Sequence, residues 1–196
     1  MESPRTDSIT AVTLNCQGLR QSCKRTVLFS WLNCFKPDIV CLQETHSISS
    51  SEFEEWVRTE GERGNNPSAY RVLSSPGTCR SRGVAILYRP SLTILSSTAD
   101  DEGRLQIVQM SFHSTTFQLV GLYGPNQKRA GISFFASIFS QLDVTLPTII
   151  CGDFNTVVDA NNDRRGCNPS SSWAYNWPSS LQSLTEDLDL HDIWRI

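Results

Sequence analysis

The sequence predicts a mixed α/β fold, a sheet system covered by helices, and three observations carry that reading. β-prone runs stand before, between and after helical stretches. Five of them follow one another without an intervening helix between Tyr70 and Gly124, the pattern of hairpins and antiparallel strands rather than of a doubly wound parallel sheet. No G-x-G-x-x-G or Walker A run is present, which leaves a nucleotide-binding reading without support.

The elements follow in order. "ITAVTLN", Ile9 to Asn15, is β-branched and aliphatic and ends in the polar, Gly-bearing "NCQGLR", as a strand running into a loop does. From Lys24 the apolar positions Val27, Leu28, Trp31, Leu32 and Phe35 form an i, i+4 stripe that predicts a helix, stopped by Pro37. "DIVCLQE", Asp38 to Glu44, is a second short strand. In "SEFEEWV" Ser51 stands three residues before Glu54, a capping-box signal for a short helix. The middle runs "YRVL", "GVAILYR", "LTIL", "RLQIVQMSF" and "TFQLVGLYG" are punctuated by Pro, Gly, Ser and Asp. A helix returns at Ile132, Phe135, Phe139 and Leu142, followed by the strand of "LPTIICGDFN". Leu181, Leu184 and Leu188 predict a last helix running towards "LHDIWRI", with His191 inside it. No repeat or low-complexity linker divides the chain, so residues 1–196 read as a single domain.

Composition bounds the function. With 196 residues, 39% of them hydrophobic, the chain can bury one sizeable core. No apolar run approaches a membrane span and "MESPRTDSIT" lacks the apolar core of a secretory signal, so a soluble, intracellular protein without membrane contact is expected. The seven cysteines contain no C-x-x-C pair and read as reduced, structural and mostly buried. A net charge of −3 implies no global basic field. A site that meets a phosphodiester through a divalent cation needs acids locally instead.

The chemistry lies at the strand ends. "VTLN" ends at Asn15, "VCLQE" at Glu44, "VGLYGPN" at Tyr123 to Asn126, and "IICGDFN" at Asp153 to Asn155. Each tip alone has a commoner explanation as a turn former, a solvated acid or half-buried packing. Four in one chain do not. If the tips converge, they line one cleft with two carboxylates, amides and a phenol, oxygen ligands that suit Mg²⁺ or Mn²⁺. Asp153 and Asn155, two apart on a strand, are expected to face one site.

"LNCQG", "DIVCLQETH", "LVGLYGPN" and "IICGDFNTVVD", in that order, resemble the endonuclease/exonuclease/phosphatase superfamily of divalent-metal phosphoesterases. With the following "DRRG" and the terminal "LHDIWR", the chain is most similar within it to the endonuclease domain of LINE-type non-LTR retrotransposons. The resemblance implies a four-layer α/β sandwich, two packed mixed β-sheets flanked by helices. It implies Glu44 as the principal metal ligand, Asn15 as support of the metal site and Tyr123 as a phosphate contact. Asp153 would orient or deprotonate the attacking water, and Asn155 would stabilise the transition state. Further phosphate or nucleic-acid contacts are expected from Asn126, His46, Arg164 and Arg165, with His46 itself a solvated loop residue by default. Arg80 and Arg82, or stacking by Trp173, Tyr175 and Trp177, are weaker expectations. The family closes its site with Ser-Arg-Ile-Asp-like and Ser-Asp-His segments, and neither occurs before Ile196. The expectation is therefore a copy truncated at the C-terminus, closing strands missing and activity impaired. The function expected is a Mg²⁺- or Mn²⁺-dependent phosphodiesterase that nicks DNA, nuclear if it serves retrotransposition. Two alternatives stand beside it: a phosphatase or phosphodiesterase of the same fold acting on a small phosphorylated metabolite or lipid headgroup, and an inactive remnant.

Overall fold

A computed structural model describes residues 8–65, 69–156 and 179–193. The elements run β1 (Ala11–Asn15), α1 (Ser22–Phe35), β2 (Ile39–Gln43), α2 (Ser50–Arg63), β3 (Arg71–Ser75), β4 (Val84–Tyr88), β5 (Thr93–Ala99), β6 (Leu105–Phe112), β7 (Thr115–Tyr123), α3 (Lys128–Phe139), β8 (Thr148–Asp153) and α4 (Ser179–Asp187). They fall into two compact units, one of residues up to Tyr123 with Ile149–Asp153, the other of Gly124–Thr148 with Phe154 onwards.

The first unit holds two four-stranded sheets, ordered β1-β2-β4-β3 and β5-β6-β7-β8. β1 pairs parallel to β2, from Ala11 opposite Ile39 to Asn15 opposite Gln43, while β4 pairs antiparallel with both β2 and β3, so this sheet is mixed. Parallel neighbours need a crossover, and α1 supplies it. In the second sheet β6 and β7 form a hairpin closed by the two residues His113 and Ser114. The register of β5 against β6 shifts between Ile94 and Ser96.

Strand alternation sorts the core. Val40, Leu42, Ala85 and Leu87 pack with Leu28, Phe29 and Leu32 of α1 and Phe53 and Val57 of α2, on the helix-covered face of the first sheet. Their neighbours Ile39, Cys41, Ile86 and Tyr88 point the other way, into a cluster with Val108, Met110 and Leu119 of the second sheet. Strands buried on both faces read as continuous apolar runs, and β2 and β4 are such strands.

The α1 stripe divides on contact. Leu28 and Leu32 are buried, whereas Val27, Trp31 and Phe35 are exposed, with Trp31 and Phe35 stacked on each other. Lys36, left-handed at φ 55°, closes the helix by donating its N–H to the Leu32 carbonyl at 2.8 Å. α2 starts earlier than its capping-box reading. Ser49 is the N-cap, its hydroxyl accepting from Glu52 N–H at 3.1 Å, because Glu52 also reaches back to Ile48 N–H at 2.8 Å. Cys41 is buried and Cys16 and Cys151 partly so, but Cys23, Cys34 and Cys79 are exposed, against the expectation of mostly buried thiols.

In the second unit α3 and α4 pack together, with Phe135, Ile138, Leu181 and Leu184 buried and Phe154 stacked on Phe135 at 6.2 Å. α4 ends at Asp187 and Asp189 turns left-handed at φ 50°, so His191 follows the helix instead of lying inside it. Among the described residues no helix is long and apolar enough to cross a membrane.

Candidate active site

Parallel pairing sends the carboxyl ends of β1 and β2 to the same edge of the sheet, the place where open α/β sheets bind ligands. Asn15 ends β1 and Glu44 follows β2, so the two leave the sheet as neighbours. Asp153 arrives from the second sheet as the last residue of β8. The three side chains meet: Nδ2 of Asn15 donates to Oε1 of Glu44 at 2.9 Å and to Oδ2 of Asp153 at 2.8 Å. The backbone N–H of Gln17 donates to Oδ1 of Asn15 at 3.0 Å. Since an N–H only donates and a carboxylate only accepts, this pattern admits one orientation of the Asn15 amide. Among the described residues no three His, Cys, Asp or Glu side chains form a metal-holding cluster, so the acids of this site are a pair served by an amide.

The loop carrying Glu44 is held in costly backbone. Gln17, Glu44 and His46 have φ of 48°, 52° and 57°, a region such residues occupy only where the surroundings over-determine it. Main-chain bonds do so here. Gly18 N–H donates to the Glu44 carbonyl at 2.8 Å, Thr45 N–H to Gly83 at 3.0 Å, and His46 N–H to Arg82 at 3.0 Å. Arg20 adds a clamp, bidentate on Glu52 at 3.1 and 3.0 Å, with Nη1 also donating to the His46 carbonyl at 3.2 Å.

His46 is not the solvated loop residue expected of it. Its side chain is 16% exposed, and its ring lies over Gly18, where an added Cβ would come within 2.7 Å of Nδ1. Its Nε2 is buried, stands 3.6 Å from Oε2 of Glu44 and has no hydrogen-bond partner among the described residues.

β8 runs through Gly152 to Asp153. With φ 144°, Gly152 lies so close to β7 that a Cβ would sit 2.0 Å from the Leu122 carbonyl oxygen. Tyr123 ends β7, 9% exposed. The Arg104 guanidinium lies 5.3 Å over its ring and Nη1 donates to the Tyr123 carbonyl at 3.1 Å. Burial, aided by nearby Arg82, pushes the Arg104 guanidinium below its usual pKa. Arg104 escaped the sequence reading, although counting outward from the turn at His113 and Ser114 sets it opposite Tyr123. Arg82 pairs with Glu102 at 3.2 Å, and Arg80 is exposed.

In the second unit Asn155 stands beyond the strand end at φ 49°, so strand alternation does not set its direction. Its Nδ2 donates to the Gly124 carbonyl at 2.8 Å. Gly124 lies so close to Phe154 that a Cβ would be 2.2 Å from that carbonyl oxygen, which ties "YGPN" to "GDFN". Asn126 is exposed ahead of α3. Arg164 and Arg165, with Trp173, Tyr175 and Trp177, lie outside the described residues.

Residues 12–191 match the Endonuclease/Exonuclease/phosphatase family. Over 188 residues the chain is 28% identical to the "Transposon TX1 uncharacterized 149 kDa protein" of Xenopus laevis, a match covering 93% of this chain and 13% of that protein. The chain thus spans a small part of that relative. Among solved structures, an AP endonuclease from Archaeoglobus fulgidus superposes with a TM-score of 0.66 at 17% identity, over 93% of this chain and 70% of that one. D. rerio TDP2 complexed with a single-strand DNA product superposes with a TM-score of 0.55 at 20% identity, over 76% and 61%. At these identities the likenesses establish the shared two-sheet fold.

Proposed function

This chain belongs to the Endonuclease/Exonuclease/phosphatase family, and from that premise we propose that it is a divalent-cation-dependent phosphodiesterase that nicks DNA, of the kind a retrotransposon uses. One observation carries the reading. Two carboxylates from different sheets, Glu44 and Asp153, converge on one amide nitrogen. Holding two like charges together is unfavourable unless positive charge offsets them, and a divalent cation supplies it. Hard, anionic oxygens in a pair fit Mg²⁺ or Mn²⁺, which proteins hold by one or two carboxylates plus substrate phosphate. The resemblance to a transposon protein and to DNA-processing enzymes supports DNA as the substrate.

A bound cation would supply positive charge to offset that of the phosphate. Glu44 would hold it, and Asn15 would keep the Glu44 carboxylate turned towards Asp153 by donating to both. Asp153 would orient the attacking water and accept its proton, the work a carboxylate does best when a second group fixes its direction. Tyr123, steadied by Arg104, would donate its hydroxyl to the phosphate. For Asn155 the transition-state role rests on the family pattern alone.

Incubation with supercoiled plasmid and Mg²⁺ tests the proposal. The expected result is conversion to nicked circles that needs the cation and disappears in Glu44→Gln and Asp153→Asn. Hydrolysis of small phosphate esters with plasmid untouched would transfer the site to a small-molecule phosphoesterase. Silence on both substrates would leave a binding remnant.

A further inference from the structure

Resting on that reading, we propose that His46 is a positioning residue for Glu44: its Nε2–H holds the carboxylate oxygen that Asn15 does not hold. It does not serve as a phosphate contact.

Three observations meet at this side chain. Nε2 is a buried polar atom without a hydrogen-bond partner among the described residues, and buried polar atoms are seldom left so. The nearest carboxylate oxygen is Oε2 of Glu44, at 3.6 Å, about 0.4 Å outside the N–H···O range. The other oxygen, Oε1, is already bonded to Asn15. The two donors therefore address different oxygens of one carboxylate and fix its plane.

The ring is also built into place. His46 adopts φ 57°, Gly18 leaves room for its Nδ1 edge where a Cβ would come within 2.7 Å, and Arg20 and Arg82 bond its main chain on either side. A loop that spends left-handed backbone, a glycine and an arginine clamp on one imidazole has fixed where that ring points, and it points at Glu44. A phosphate contact would need Nε2 turned away from the carboxylate. Groups that orient metal ligands in this way typically set metal affinity by roughly tenfold to a hundredfold.

The test is the Mg²⁺ concentration at which the melting temperature of the full chain rises halfway, measured for wild type, His46→Phe and His46→Gln. Phenylalanine keeps a ring over Gly18 but carries no donor; glutamine carries an N–H at a similar reach. The proposal expects His46→Phe to raise the Mg²⁺ midpoint by about tenfold or more while melting normally without metal, and His46→Gln to stay near wild type. In a Glu44→Gln background, His46→Phe should change nothing further. Should His46→Phe fail to fold, His46→Leu serves as the donor-less variant. A wild-type midpoint in the donor-less protein, or equal weakening by His46→Gln, overturns the proposal and leaves the cation reading intact. A wild-type chain whose melt ignores Mg²⁺, or responds equally in Glu44→Gln, overturns that reading and this inference with it.

Discussion

Glu44 and Asp153 accept hydrogen bonds from a single nitrogen, Nδ2 of Asn15, although one follows β2 of the first sheet and the other closes β8 of the second. The amide is therefore a cross-link between sheets as well as part of the site. Its loss removes the donor that these two partly buried carboxylates share.

Asn15→Ala should accordingly lower the unfolding free energy in chelator by about 2 kcal/mol, the range for hydrogen bonds to charged groups. Millimolar Mg²⁺ should restore part of it, because a cation held at Glu44 would supply positive charge in place of the missing amide donor. Urea unfolding with EDTA and with Mg²⁺ measures both, and superimposable curves for variant and parent in EDTA would contradict the cross-link.

Gly152→Ala tests the delivery of Asp153. The added methyl would stand 2.0 Å from the Leu122 carbonyl oxygen at a φ of 144°, so β7 and β8 must separate. A loss of about 3 kcal/mol is expected, combining strain and overpacking. A urea midpoint within error of the parent would show that β8 does not run this close to β7.

Cys16 offers a pH prediction. Burial pushes its thiol from 9.0 up to about 12, with nearby Glu44 adding to the rise and Lys24 opposing it. A thiol that stays protonated in the fold but ionises when unfolded gives the native state the larger share of bound protons between those values. Stability therefore falls as pH climbs from about 9 towards 12, and Cys16→Ser should flatten that fall. At pH 8 the exposed Cys23, Cys34 and Cys79 should react with iodoacetamide while Cys16 resists. Rapid labelling of Cys16 would show the thiol to be open to solvent.

Much of this was readable in the residues. "IVCL" and "VAILY" are unbroken apolar runs because both their faces are covered, and the polar tips Asn15, Glu44 and Asp153 stand out against them. What escaped depends on contacts distant in the chain. "SISSSEFEEW" offers Ser49 with Glu52 and Ser51 with Glu54, two overlapping capping boxes; the first prevails because Glu52 also holds Ile48 and Arg20. The left-handed turns at Glu44 and His46 follow from bonds to Gly18 and Arg82, and no local signal announces them. Gly152 looks like a strand stop in sequence and is a close-approach residue inside β8. Asn155 lost its place on the strand because β8 ends at Asp153.

Calorimetric titration of Mn²⁺ into the metal-free chain, with Mg²⁺ as competitor, tests the central claim most directly. If Glu44 holds a cation with the Asp153 charge beside it, wild type binds a single Mn²⁺ that Mg²⁺ displaces, Glu44→Gln abolishes the binding heat and Asp153→Asn weakens it. Undiminished one-to-one binding in both variants, or no binding by wild type, would mean that the two carboxylates on Asn15 are not a cation site.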